Sequence, residues 1–218
     1  IGSQILTHYP ADIETAKRIT QQEAASILNQ KDAIFVPELV KDLLEQIVFE
    51  ARASEYIDAK SGVSARLSIS AFENLLSTAE RRSLLSGDQK TTIRLSDFNG
   101  IIPAITGKVE LVYEGEQEGA EAVAETLISR AIKNLFPTIF PEIKKLEKQE
   151  AETPYDEIIS WFFNYNGDFE ILNDVREKEY HLLLDNISPL NDLIAEYLPK
   201  TSKEESYFVK EFVLWALV

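Results

Sequence analysis

Hydrophobic side chains recur at helical spacing in two long stretches near the middle of the chain. The first stretch follows Pro37, a residue that suits the first position of a helix, and continues to about Tyr56. Its apolar positions are Leu39, Val40, Leu43, Leu44, Ile47, Val48 and Ala51. Because this pattern follows i, i+3, i+4, i+7, it predicts an amphipathic helix.

The second stretch begins with a polar turn, residues 61–66, that contains Gly62. We expect Ser64 to be the N-cap, since its hydroxyl can accept a backbone N–H from the first turn of a helix. One face then carries Leu67, Ala71, Phe72, Leu75, Leu76 and Ala79. Residues 86–88 are turn formers, so the pattern predicts a helix that ends at about Leu85.

The segments that follow predict shorter elements. Ser96 and Asp97 predict the cap of a third helix, which Pro103 should interrupt. Residues 108–114 alternate apolar and charged side chains, which is typical of a strand or an extended arm. A lone strand is not stable, so we expect it to pair with residues 91–94, with another chain or with a missing domain.

Helices are also predicted on both sides of this region. The spacing of Thr20 and Glu23 matches a capping box and predicts the start of a short helix. Residues 115–119 read as an acidic turn, and a helix follows from Ala120. Its apolar face is Val123, Ala124, Leu127, Ile128, Ala131, Ile132 and Leu135.

The last third of the chain is divided by prolines and by a polar run. Pro137 and Pro141 should interrupt the path and start another short helix. The polar residues 144–152 are the best candidate for a domain boundary. Beyond it, helices are predicted over residues 172–184, from Ser188-Pro189, and after the Ser202–Glu205 capping box. The pattern as a whole predicts a mainly α fold with a small β element.

Aromatic residues are dense in one part of this region. Helical spacing places four apolar side chains on one stripe, Ile158, Trp161, Phe162 and Tyr165, with Tyr155 and Phe163 close by. Such a stripe is more typical of a packed core than of a binding surface. A partner-binding groove stays open as the alternative, with Trp161, Phe162 and Tyr165 as its candidate residues.

Composition and charge exclude several classes of partner. The 218 residues are 44% hydrophobic and 27% charged, with a formal net charge of −15. A chain this acidic is repelled by nucleic-acid backbones and by anionic membranes, although Arg66, Arg81 and Arg82 could form a local basic spot. The sequence has no cysteine, which is consistent with a reducing cytoplasm, and no stretch is long enough to span a membrane. Because it opens on Ile1 and has no methionine, we expect a fragment.

The two histidines are candidate functional residues, but an ordinary structural role is more common for each. Glu177 and His181 are one helical turn apart, which suits a metal pair, but a solvated helix face is the more common arrangement. His8 could face a nucleotide or a neighbouring subunit, and packing within a connecting segment is expected more often.

Arg66 is the residue with the most specific chemistry. A cation in the first turn opposes the helix macrodipole, so helix stability gives no reason for it. Free N–H groups at a helix start attract anions, and an arginine beside them makes a phosphate site stronger and more directional. An arginine that folds back onto a surface carboxylate is the plainer alternative.

The segment Gly62-Val63-Ser64-Ala65-Arg66 resembles the second-sensor motif of AAA+ ATPases in the magnesium chelatase and MoxR-like group. The usual Gly-Ala-Ser-Pro-Arg spacing is kept and the proline is lost. The resemblance continues through residues 79–82 and 92–98, and it covers roughly residues 37–111. It implies an AAA+ lid-like helical domain in which Arg66, with Ser64 and Gly62, binds the nucleotide phosphates.

The same resemblance implies an organisation for the whole chain. Residues 1–35 would be a connector from an ATPase core upstream, 36–106 the lid, 107–152 a strand or arm and a helix, and 153–218 a C-terminal helical domain. ATP and Mg²⁺ would be cofactors of the full-length parent, which would form a homo-oligomeric ring and act on an unknown client protein.

The catalytic parts of such an ATPase are not in this sequence. No Gly-x-x-x-x-Gly-Lys-Ser/Thr segment is present to cradle phosphates, so this chain alone should not hydrolyse ATP. A stand-alone acidic helical interaction module without nucleotide binding is the alternative function.

Overall fold

The computed structural model describes residues 2–25, 28–143, 153–165, 167 and 169–217. This part of the chain is mainly helical. Its elements are α1 (Ile13–Glu23), α2 (Leu28–Ala33), β1 (Ile34–Phe35), α3 (Glu38–Ala53), α4 (Arg66–Ser86), β2 (Thr91–Thr92), a 3-10 helix (Leu95–Ile101), α5 (Ile102–Thr106), α6 (Tyr113–Glu118), α7 (Ala120–Leu135), a second 3-10 helix (Phe136–Thr138), α8 (Asp156–Asn164), α9 (Glu177–Asp185), α10 (Ser188–Tyr197) and α11 (Lys203–Leu217).

Helix α3 is the centre of the packing. All seven of its predicted apolar positions are buried, and α1, α4, α7 and α11 pack around it. Pro37 is the N-cap residue rather than the first helical one. The periodicity therefore predicted this helix correctly to within three residues at its C-terminal end.

Helix α4 also follows its prediction. Its apolar face is buried at Leu67, Ala71 and Leu75, and it packs against the first 3-10 helix and α5. It ends at Ser86 because Gly87 adopts a left-handed conformation with φ of 76°, which glycine accepts without strain.

The small β element differs from the predicted strand. β1 and β2 pair in parallel, Ile34 with Thr91 and Phe35 with Thr92. Within residues 108–114, Leu111 makes an isolated antiparallel bridge with Ile57, and residues 91–92 pair with β1 instead. The predicted strand and its pairing with residues 91–94 were therefore wrong.

Helix α6 occupies the place of the predicted acidic turn. Two glutamates lie in its first turn, Glu114 and Glu116, where negative charge favours a helix. Gly115 lies against the carbonyl of Tyr56, and a Cβ at Gly115 would come within 2.5 Å of that oxygen. A segment that reads as a turn by composition is therefore a helix because it packs closely.

We expect Gly115→Ala to destabilise the chain by about 1–3 kcal/mol, because the added methyl must displace backbone that is held by the Ile57–Leu111 bridge. The matched control is Glu118→Ala, at an exposed position in the last turn of the same helix. Urea denaturation monitored by circular dichroism measures both. Equal stability of the two variants would show that the contact at Gly115 relaxes freely.

Several predicted helix starts need correction. Thr20 and Glu23 lie at the end of α1, which Asp12 caps by accepting the Thr15 N–H at 2.7 Å. Pro103 lies in the first turn of α5, where proline needs no N–H partner.

Of the predictions near the C-terminus, one helix start was wrong and one capping box is confirmed. Residues 172–176 are not helical, because α9 begins at Glu177. The Ser202–Glu205 capping box is confirmed, since the Glu205 N–H donates to Ser202 Oγ at 3.2 Å and the Ser202 N–H to the Glu205 carboxylate at 3.3 Å.

One cluster of buried hydrophobic side chains runs through the described residues. It joins α3, α4 and α7 to α10 and α11 near the C-terminus. The predicted boundary at residues 144–152 lies outside the described residues, and the division into domains stays a prediction. Among the described helices, none combines the length and apolar character that crossing a membrane requires.

Candidate functional site

The loop before α4 is shaped by two residues. Asp58 Oδ1 accepts the Lys60 N–H at 2.8 Å, and the Gly62 N–H donates to the Asp58 carbonyl at 3.2 Å. Gly62 has φ of +67°, a left-handed conformation that glycine adopts readily. Val63 then enters the core with 1% of its surface exposed, which fixes the loop where α4 begins.

Ser64 does not cap α4. Its side chain is exposed, and the N-cap position belongs to Ala65, which has helical backbone angles and no side-chain acceptor. Only the Ser64 carbonyl takes part, accepting the Leu67 N–H at 3.0 Å. The helix therefore starts without a side-chain cap.

Arg66 lies in this uncapped first turn with its side chain exposed. Within residues 2–25, 28–143, 153–165, 167 and 169–217, its side chain makes no hydrogen bond or ion pair, and the first turn of α4 has no acidic residue. The fold-back onto a surface carboxylate is thus not the arrangement seen. The guanidinium is open to a ligand from solvent.

The predicted basic spot of three arginines is not formed. Arg66 is at one end of the 21-residue helix α4, and Arg81 and Arg82 are near the other, roughly 20 Å or more away at 1.5 Å per residue. Arg81 is exposed, whereas Arg82 is only 6% exposed. The length of α4 keeps the three arginines apart.

Arg82 instead anchors the far end of α4. Its Nε and Nη2 donate to the two oxygens of Asp97 at 2.9 and 2.8 Å, a bidentate pair. Nη1 donates to the Thr91 hydroxyl and Nη2 to the Thr92 carbonyl, both at 2.8 Å. Burial lowers the pKa of Arg82, but Asp97 outweighs burial and the pKa is raised. This arginine stays charged.

Glu177 connects the same cluster to α9. Its carboxylate accepts the Thr92 N–H at 2.9 Å, the Thr91 hydroxyl at 2.8 Å and Arg94 Nη2 at 3.0 Å. Burial would raise the pKa of Glu177, but these contacts and His181, 3.2 Å away, lower it to about 2. The expected solvated face was wrong at Glu177.

Among the described residues, the possible metal pair of Glu177 and His181 is not part of a larger set of ligands. No group of three or more potential ligands that could hold a metal is found in the described part of the chain. The His181 ring stacks on the Tyr207 ring with 3.6 Å between the ring centroids, and the Tyr180 ring is 5.8 Å away. Its surroundings are thus mainly aromatic.

Arg94 and Glu211 extend the cluster to α11. The Arg94 guanidinium lies over the Tyr180 ring at 4.1 Å. Glu211 accepts the Leu95 N–H at 2.7 Å and the Tyr180 hydroxyl at 3.0 Å, and burial raises its pKa. This buried polar cluster (Arg82, Arg94, Asp97, Glu177 and Glu211) ties the end of α4 to the C-terminal helices.

The aromatic stripe is only partly a core. Ile158 is buried, while Trp161 stacks on Tyr165 at 4.9 Å and Tyr165 keeps 41% of its surface exposed. Phe162 lines an open apolar groove of about 1320 Å³, together with residues of α7 and α11. Phe163, at the same groove, is 85% exposed. The stripe therefore combines packing and surface.

His8 is exposed, with its Nδ1 at 2.8 Å from the Tyr9 carbonyl, so the expectation of a packed histidine was wrong. The neighbouring Tyr9 ring instead lies over Gly62, where a Cβ would come within 2.2 Å of the Tyr9 hydroxyl oxygen. The N-terminal segment thus reaches the loop that leads to Arg66.

The chain matches no protein-family model, no curated protein and no solved structure.

Proposed function

We propose that this chain is the lid and C-terminal partner-coupling region of an AAA+ ATPase related to magnesium chelatase. Arg66 is its sensor for the nucleotide phosphates, and Gly62 and Ser64 shape the loop that presents it. The observation that carries the proposal is the exposed, unpaired guanidinium of Arg66 in an uncapped helix start, within the described residues. A helix start without a side-chain cap and a guanidinium together suit a phosphate.

The donor set fits a nucleotide phosphate better than a neutral ligand. Arginine offers a planar fork of N–H groups that matches phosphate oxygens, and the helix start adds positive potential. ATP with Mg²⁺, bound to the core of the parent protein, supplies the phosphoryl chemistry. Arg66 contributes charge and orientation there.

The arrangement also suggests how a contact at Arg66 is transmitted. Helix α4 is held at its far end by Arg82 and Asp97, and Glu177 joins that end to α9. A contact made in only one nucleotide state therefore biases a hinge between the core and this rigid unit. In this proposal the region after residue 106 passes the motion to a client protein, and the parent forms a ring.

We expect Arg66→Ala in the full-length ATPase to reduce ATP turnover about ten- to a hundredfold, the loss typical of a hydrogen bond to a charged group. The reason is that the charge-assisted contact to the phosphates is removed. The measurement is steady-state ATP hydrolysis by the purified full-length protein.

Arg81→Ala is the matched control, because Arg81 is exposed on the same helix and far from its start. It should leave turnover unchanged. If Arg66→Ala hydrolysed ATP at a rate near that of the wild type, the assignment of Arg66 as the sensor would be wrong.

The second candidate function is a stand-alone protein-interaction module. It is favoured by the exposure of Phe163 at the apolar groove, since exposed aromatic side chains often anchor partners. Under this alternative, Arg66→Ala is silent and Phe163→Ser abolishes partner capture, whereas under the ATPase proposal Arg66→Ala impairs hydrolysis.

A further inference from the structure

Arg52, in the last turn of α3, reaches across to the loop that presents Arg66. Its Nε donates to the Val63 carbonyl at 3.1 Å. Val63 is buried and lies three residues before Arg66. The bond therefore joins the end of the central helix to the backbone just before the sensor.

The Arg52 guanidinium is held mainly by aromatic faces. It lies 4.7 Å from the centre of the Tyr9 ring and 5.3 Å from that of Phe49, distances at which a cation and a ring attract. Its Nη1 is buried and has no hydrogen-bond partner among the described residues. Burial lowers the pKa of Arg52. A buried donor without a partner is unfavourable for stability, so stability alone does not account for this arginine.

Tyr9 contacts the same loop at Gly62. Its hydroxyl lies over Gly62, at the point where any Cβ would be 2.2 Å away. Glycine at this position serves two needs, the left-handed turn and the close approach of the tyrosine. Tyr9 and Arg52 thus contact each other, and both contact the same turn, Tyr9 at Gly62 and Arg52 at the Val63 carbonyl.

We infer that Arg52 and Tyr9 are positioning residues for Arg66: they fix the Gly62–Val63 turn to the N-terminal segment, so the sensor moves with that segment. The inference rests on the proposed function of Arg66. In that function the N-terminal segment leads from the ATPase core, and the Tyr9–Arg52 pair links its position to that of the sensor. Neither residue needs to touch the nucleotide.

The test is a double-mutant cycle in the full-length ATPase. Arg52→Ala should lower kcat about tenfold. Arg52→Lys should also lower kcat, because lysine keeps the charge but cannot make the Nε hydrogen bond or stack as a planar group on the rings. In an Arg66→Ala background, Arg52→Ala should change kcat by less than about twofold, since its effect acts through Arg66. A purely structural role would give the same loss in both backgrounds and would overturn the inference.

Leu6→Ala is the matched control, because Leu6 lies in the same N-terminal segment with 89% of its surface exposed. It should behave as the wild type, whereas Tyr9→Ala should resemble Arg52→Ala. Hydrogen exchange of the amides of residues 62–66 gives a second readout, expected to rise in Arg52→Ala, Arg52→Lys and Tyr9→Ala. Unchanged exchange in all three would contradict the inference even if a variant were too unstable for kinetics.

The outcomes also separate this inference from the proposed function. Loss of turnover in Arg66→Ala with wild-type turnover in Arg52→Ala overturns only the positioning role. Wild-type turnover in Arg66→Ala overturns the sensor and the positioning role with it.

Discussion

Arg82→Ala is expected to lower the free energy of unfolding of this chain by about 3–5 kcal/mol, the range for breaking a buried ion pair by removing one partner. The variant leaves Asp97, 2% exposed, without its bidentate partner. It also leaves the Thr92 carbonyl without the donor that it has from Arg82. A loss of this size is a large part of the stability of a typical domain.

The exposed neighbour Arg81 provides the control. Arg81→Ala changes the same helix by the same atoms and should shift stability by less than about 0.5 kcal/mol. Arg82→Lys keeps a charge but not the fork, so most of the loss should remain. Urea denaturation at neutral pH measures all three. If Arg82→Ala proved as stable as Arg81→Ala, the buried pair would contribute nothing net.

The long helices could be predicted from the sequence because their stability is local and periodic. In α3 and α4 the apolar spacing, the proline at the start of α3 and the glycine after α4 all indicate the same boundaries. Arg82 could have been found by the same reasoning, since it follows Ala79 by three positions and therefore lies on the buried face. Its charge obscured its position.

Other features depend on contacts between distant residues, and the sequence could not show them. The alternation in residues 108–114 is compatible with a strand and also with a single bridge to Ile57 followed by a helix. Packing against Tyr56, which is distant in the sequence, favours the bridge and the helix. Likewise, nothing near Glu177 in the sequence indicates that β2 lies opposite it. The sequence indicates the loop at Gly62 as a candidate site, but the contacts of this loop with Tyr9 and Arg52 depend on the fold.

Glu177→Gln is expected to destabilise the chain by roughly 3 kcal/mol at neutral pH, and this difference should shrink in acid. Contacts with His181, Thr91, Thr92 and Arg94 outweigh burial and lower the pKa of Glu177 from 4.5 to about 2. A difference of about 2.5 pKa units corresponds to roughly 3 kcal/mol. The glutamine cannot carry the charge that faces Arg94.

The sign of the pH dependence follows from the lowered pKa. The unfolded chain takes up a proton at Glu177 near pH 4.5, whereas the folded chain resists until about pH 2. The stabilisation is therefore complete above the unfolded value and is lost as the pH falls from 4.5 towards 2. The free energies of unfolding of wild type and Glu177→Gln should converge over that interval.

Urea denaturation of both proteins from neutral pH to about pH 3 measures this convergence, and the difference between them cancels the titration of the other carboxylates. Glu179→Gln is the matched control, because Glu179 is exposed in the first turn of the same helix. It should differ little from wild type at any pH. A Glu177→Gln difference that stayed constant with pH would mean that shape rather than charge determines the role of Glu177. In that case the packing of α9 against the end of α4 would not depend on the ion pairs of Glu177.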